Sequence, residues 1–151
     1  MVSRARMRAV LPILVMGLSL SAWGVESVVG SVSTVSGSVV VHRGVESIPV
    51  GEGMHLVAND ILQTLGDGRV GVILQDGTRI GLGPNTDLKI DQFVYEPAAG
   101  KFGLLLRLTR GVMAYVSGRI AKFAPESVTV ETPVGVLGLR GTQFAVSIEG
   151  T

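Results

Sequence analysis

From Val25 onward, apolar residues recur at every second position. The series are Val39 and Val41; Val70, Val72 and Leu74; Ile80 and Leu82; Leu88 and Ile90; Val128 and Val130; and Phe144, Val146 and Ile148. A period of two places each set on one face of a strand, with His42, Gly71, Lys89, Thr129 and Ser147 on the other. No i, i+3, i+4, i+7 pattern lasts beyond a couple of turns, so helix explains little of the chain. Asp67-Gly68 and Asp76-Gly77 supply positive φ for tight turns and bracket a strand over 69–75. Further turns fall at Gly51-Glu52-Gly53, Asn59-Asp60, Gly83-Pro84-Asn85, 97–100 and Ala124-Pro125-Glu126. The pattern predicts an all-β fold: a single domain of about ten or more short strands, in a two-layered sandwich or a short β-solenoid. The segment 100–117 holds a denser apolar run (Phe102, Leu104, Leu105, Leu106, Leu108) and reads as the most buried strand.

The first two dozen residues follow different rules. Arg4, Arg6 and Arg8 precede an apolar stretch over 9–20, and Ala22-Trp23-Gly24 places small residues at the −3 and −1 positions of a cleavage site. This predicts a signal peptide over 1–24 and an all-β domain over 25–151. The apolar stretch falls short of the ~20 residues of a membrane span. The expected location is therefore periplasmic or secreted, with no stable membrane insertion once the leader is removed.

Cleavage there leaves 127 residues carrying 10 Lys+Arg and 12 Asp+Glu, a net charge of −2. Without a block of basic residues the domain has no electrostatic footprint for nucleic acid. There is no cysteine, which excludes disulfides, thiolate nucleophiles and Cys-ligated zinc. Transmembrane-barrel strands would need ~9–11 residues and girdles of aromatics. Six aromatics remain after the leader: Phe93, Tyr95, Phe102, Tyr115, Phe123 and Phe144.

Candidate chemistry is sparse. Asp60, Asp67, Asp76, Asp87 and Asp91 could suggest a carboxylate cluster, but four of the five sit at turns or strand starts, where Asp bonds nearby backbone N–H groups. His42 and His55 lack a second ligand at metal-binding spacing, and no GxSxG motif provides a nucleophile elbow. The glycines of 135–141 resemble a phosphate loop only superficially, because no Lys follows and no helix starts there. Arg140, in that apolar and glycine-rich segment, needs a partner and reads as a structural pin. No catalytic residue, metal or cofactor is expected.

The stretch Val128-Thr129-Val130-Glu131-Thr132-Pro133-Val134-Gly135, continuing through Leu139-Arg140-Gly141-Thr142-Gln143-Phe144-Ala145-Val146, resembles the signature that closes FecR-type domains. The motif residues are Thr132, Pro133, Gly135, Arg140, Gly141 and Thr142, read as structural. Upstream, Gly37-Ser38-Val39-Val40-Val41-His42-Arg43 is similar to the family's opening strand. The element from Val50 to Thr64 is similar to its "GD-x-I-x-T" portion, with Asn59 in place of the usual Gly. Leu74-Gln75-Asp76-Gly77-Thr78-Arg79-Ile80 and Gly111-Val112-Met113-Ala114-Tyr115-Val116 resemble its central and later strands. The resemblance spans 28–149 and implies a non-enzymatic periplasmic module. In better-understood members such a domain sits between an outer-membrane receptor of the TonB-dependent kind and a cytoplasmic sigma-factor regulator, relaying receptor occupancy by an iron chelate.

Two readings follow. The first is a stand-alone FecR-type domain that acts through protein contacts, with exposed β edges as the contact surface and a receptor or regulator as partner. The second is a cell-wall or glycan-binding envelope module, for which Phe93, Tyr95 and Phe123 are the aromatics free to stack on sugar.

Overall fold

The computed structural model describes residues 27–139 and 143–149. Their strands are β1 (Val28–Ser36), β2 (Val39–Arg43), β3 (Glu46–Pro49), β4 (His55–Val57), β5 (Ile61–Thr64), β6 (Arg69–Leu74), β7 (Arg79–Leu82), β8 (Asp87–Glu96), β9 (Lys101–Val116), β10 (Val128–Thr132), β11 (Gly135–Gly138) and β12 (Gln143–Ile148). One five-residue helix, α1 (Arg119–Phe123), lies between β9 and β10. The expected all-β class holds, with twelve strands in one connected sheet that curls into a half-barrel. Among the described residues no helix is long and apolar enough to cross a membrane. The leader over 1–24 lies outside them.

The turn chemistry is where the glycine and asparagine residues place it. Gly53, Gly77 and Gly100 have positive φ, as do Asn59 (70°) and Asn85 (52°). Asn59 therefore fills, at modest steric cost, a left-handed position that glycine fills freely.

The sheet is organised by β9. Its first half pairs with β8 and, in parallel, with β10; its second half pairs with β7 and β12. The order β3-β2-β5-β8 runs out from the first half, and β7-β6-β1-β4 from the second. Only the β9–β10 pair is parallel, which requires the chain to cross back, and α1 lies in that crossover. Between the halves, Gly111 has φ 97° and turns the strand from one layer into the other. Thr86 holds this bend: its hydroxyl accepts from Val112 N at 2.9 Å.

Both layers feed one core. Val41, Leu62, Leu88, Ile90, Leu104, Leu106 and Leu108 on one side meet Val32, Val72, Leu74, Ile80, Met113 and Tyr115 on the other, all buried. Leu104, Leu106 and Leu108 are buried, but Phe102, Gly103 and Leu105 remain half-buried and Arg107 and Thr109 face outward. β9 is thus the most connected strand rather than the most buried, because its outer face is open to solvent.

Candidate functional site

Each aspartate singled out in the sequence has a local partner. Asp60 is buried and receives Arg43 through two contacts, Nε to Oδ1 at 2.9 Å and Nη2 to Oδ2 at 2.7 Å. Val57 N donates to it as well. Asp67 accepts from Ser38 N, and Asp87 pairs with Arg110 at 2.9 Å. Asp91 lies 3.5 Å from Lys89 and 3.0 Å from Arg107, which also reaches Glu131 at 3.0 Å. Asp76 is buried and accepts from Thr78 N, the Thr78 hydroxyl and Ile120 N, so the β6–β7 turn is tied to the start of α1.

The histidines are held in the same manner. With Nε2 protonated, His42 donates to Gln63 Oε1 at 2.7 Å and accepts from the Ser47 hydroxyl at 3.0 Å. The His55 carbonyl accepts from Arg43. Among the described residues no group of three His, Asp or Glu stands close enough to hold a metal.

Buried beside Asp76 is Tyr115, stacked on Phe144 with ring centroids 4.7 Å apart. Burial pushes the phenol pKa up, and the Asp76 charge adds to this. The neighbouring Thr78 and Ser117 side chains work against it.

Two surface features remain. The first is the β10–β11 hairpin. The Thr132 hydroxyl donates to Gly135 O at 2.9 Å and accepts from Val134 N at 3.3 Å, closing a turn around Pro133. Every residue of β11 is exposed, with Val136 at 67%, and Val134 in the turn is 84% exposed. Beside this turn, Thr132 and Pro133 line a cleft of about 150 Å³ with Arg107 and Glu131.

The second feature is aromatic. Phe93 and Tyr95 of β8 pair in register with Leu104 and Phe102 of β9. A register shift between Ile90 and Gln92 inserts one residue into β8. The inward series Leu88, Ile90 therefore continues as Phe93, Tyr95 rather than as Gln92, Val94. Tyr95 lies 6.2 Å from Phe102, which stacks at 5.7 Å on the 65% exposed Phe123 of α1.

The model of the family described as FecR protein matches residues 60–151, well over half of the chain. The chain belongs to the FecR family. Searches of curated proteins and of solved structures return no match. The FecR family is linked to sigma-factor regulation and signalling, and its members interact with membrane proteins.

Of the FecR motif residues, Thr132, Pro133 and Gly135 stand together at the tip of the β10–β11 hairpin. Arg140, Gly141 and Thr142, and with them the expected pin at Arg140, lie outside the described residues. Sequence reasoning missed the gathering of four aromatics. The register shift in β8 leaves no signature in the apolar alternation.

Proposed function

We propose that this chain is an exported, non-enzymatic module of the bacterial envelope, released from a signal peptide over 1–24, whose 25–151 domain serves FecR-type signalling by docking a protein partner on its edge strands. The partner is an outer-membrane receptor or an inner-membrane regulator. One observation carries the reading. Among the described residues β11 is an edge strand, paired to β10 alone, and its four residues Gly135-Val136-Leu137-Gly138 are all exposed. Natural edge strands are guarded by charge, proline or brevity. β3 carries Glu46 and Pro49, and β4 has three residues, whereas β11 has neither charge nor proline. An unguarded apolar edge is suited to accept a strand from another chain. β12, paired to β9, turns Phe144, Val146 and Ile148 half-buried against the core.

The test is a photo-crosslinking residue at Val136 in growing cells, followed by mass spectrometry. A receptor or regulator peptide is the expected product. A product pattern identical to that from the same crosslinker at Glu46 would sink the proposal. N-terminal sequencing of the mature protein checks the leader, with Val25 as the expected first residue.

A further inference from the structure

Past Asp91, one edge of β8 has no strand beside it among the described residues. β5 meets only positions 87–89, while β9 covers the opposite edge as far as Glu96. At this open edge, against the start of β1, lies a cleft of about 250 Å³ lined by Ser27, Val28, Val29, Gln75 and residues 93–96, with Phe93, Tyr95 and Glu96 among the last. We infer that this cleft is a saccharide subsite, taking one hydroxyl-rich pyranose ring at the end of a short glycan. The inference stands apart from the edge-strand reading and uses a different surface.

Three observations support it. First, Tyr95, Phe102 and Phe123 stand in successive ring contact, and Phe93 lines the cleft with Tyr95. Flat, half-exposed rings suit the apolar C–H face of a sugar and bury area at little entropy cost. Arg119 is within hydrogen-bonding reach of Tyr95, which steadies the ring.

Second, the polar groups at the cleft are uncommitted. The side chains of Ser27, Gln75 and Glu96 are exposed and make no hydrogen bond or ion pair among the described residues. The open edge of β8 adds strand backbone with no partner strand. A carboxylate and an amide next to an aromatic wall are the groups that take paired sugar hydroxyls, the carboxylate accepting both. Third, the size fits one ring, since pockets for drug-sized molecules begin at ~300 Å³.

The charge argues against an apolar occupant. An apolar peptide side chain would desolvate Glu96, whose carboxylate makes no ion pair among the described residues.

The experiment is titration of the isotopically labelled full-length chain with chitotetraose and, separately, cellotetraose, read by amide shifts and calorimetry. Saturable binding of at least one glycan, with shifts at Ser27, Gln75 and 93–96, is expected. Glu96→Gln, on an exposed side chain, should weaken binding about tenfold or more with an unchanged melting temperature. Tyr95 and Phe93 pack on the core margin, so Tyr95→Leu is interpreted only alongside its melting curve. Val136→Ser on the hairpin should bind like the wild type. The inference is overturned if neither glycan saturates at millimolar concentration, if Glu96→Gln binds as well as wild type, or if the shifts fall elsewhere. Saturation of the same residues by an extended peptide and by neither glycan also overturns it.

Discussion

Replacing Gly111 by alanine tests whether the bend in β9 is what joins the two layers. A Cβ built there would lie 2.5 Å from Thr86 Cα and 2.6 Å from Thr86 Cβ, with the hydroxyl oxygen closer still. The φ of 97° is also a region that L side chains avoid. Backbone strain of this kind costs about 1–3 kcal/mol, and overpacking about 1–3 kcal/mol more. Moving Thr86 aside also weakens its bond from Val112 N, worth ~1 kcal/mol. The total, roughly 3–7 kcal/mol, is a large share of the ~5–15 kcal/mol that a domain has. At a few degrees per kcal/mol for a chain of this size, Gly111→Ala should melt roughly 10–20 °C below wild type in a thermal scan by circular dichroism. Because Thr86 Cα is itself in the way, adding Thr86→Ala should not restore stability. A single mutant melting within about 2 °C of wild type, or a double mutant that recovers, would refute the argument.

Other outcomes follow from the buried polar groups. Asp76→Ala removes three hydrogen bonds that tie the β6–β7 turn to α1 and should cost about 2–4 kcal/mol in urea unfolding. Asp60→Ala removes both carboxylate contacts of Arg43, strands the Val57 N–H and should cost about 3 kcal/mol, whereas Arg107→Ala, on a half-exposed ion pair, should cost under ~1 kcal/mol. Equal losses from the two variants would contradict the burial argument. Tyr115 has a raised pKa in the folded state, so the folded protein keeps its proton where the unfolded chain releases it. Stability should therefore be full below pH 10, the ordinary phenol value, and decline as pH rises above it. Tyr115→Phe, which retains the stack on Phe144, should flatten that decline in alkaline denaturation curves.

The strands were legible because their chemistry is local. Alternation at Val70, Val72 and Leu74, closed by Asp67-Gly68 and Asp76-Gly77, needs no partner to be read, and β6 lies where the pattern places it. The FecR likeness was legible for the same reason, since its motifs are contiguous strands and turns. What could not be read depends on pairing. Nothing local to 101–116 says that one strand serves two layers, because the signal is a single glycine whose φ is set by Thr86. The register shift in β8 likewise turns Phe93 and Tyr95 inward only relative to β9. α1 escaped notice because five residues are too few for a helical period to show. The proposed docking edge at β11 was legible as a motif but not as an edge, which only the sheet order defines.

Because β9 belongs to both layers, neither layer is complete until the chain has been made through Val116. Strands β1 to β8 can form hairpins, but the pairings of β7 and of β8 that define the two layers wait for it. Closure of the core is then a late, non-local event, which places this chain among slowly folding β proteins. For the exported protein proposed above, such a delay would be useful: the chain would stay threadable until Val116 had emerged. It also means that fragments ending before Val116 should expose their valines and leucines and aggregate rather than fold in part.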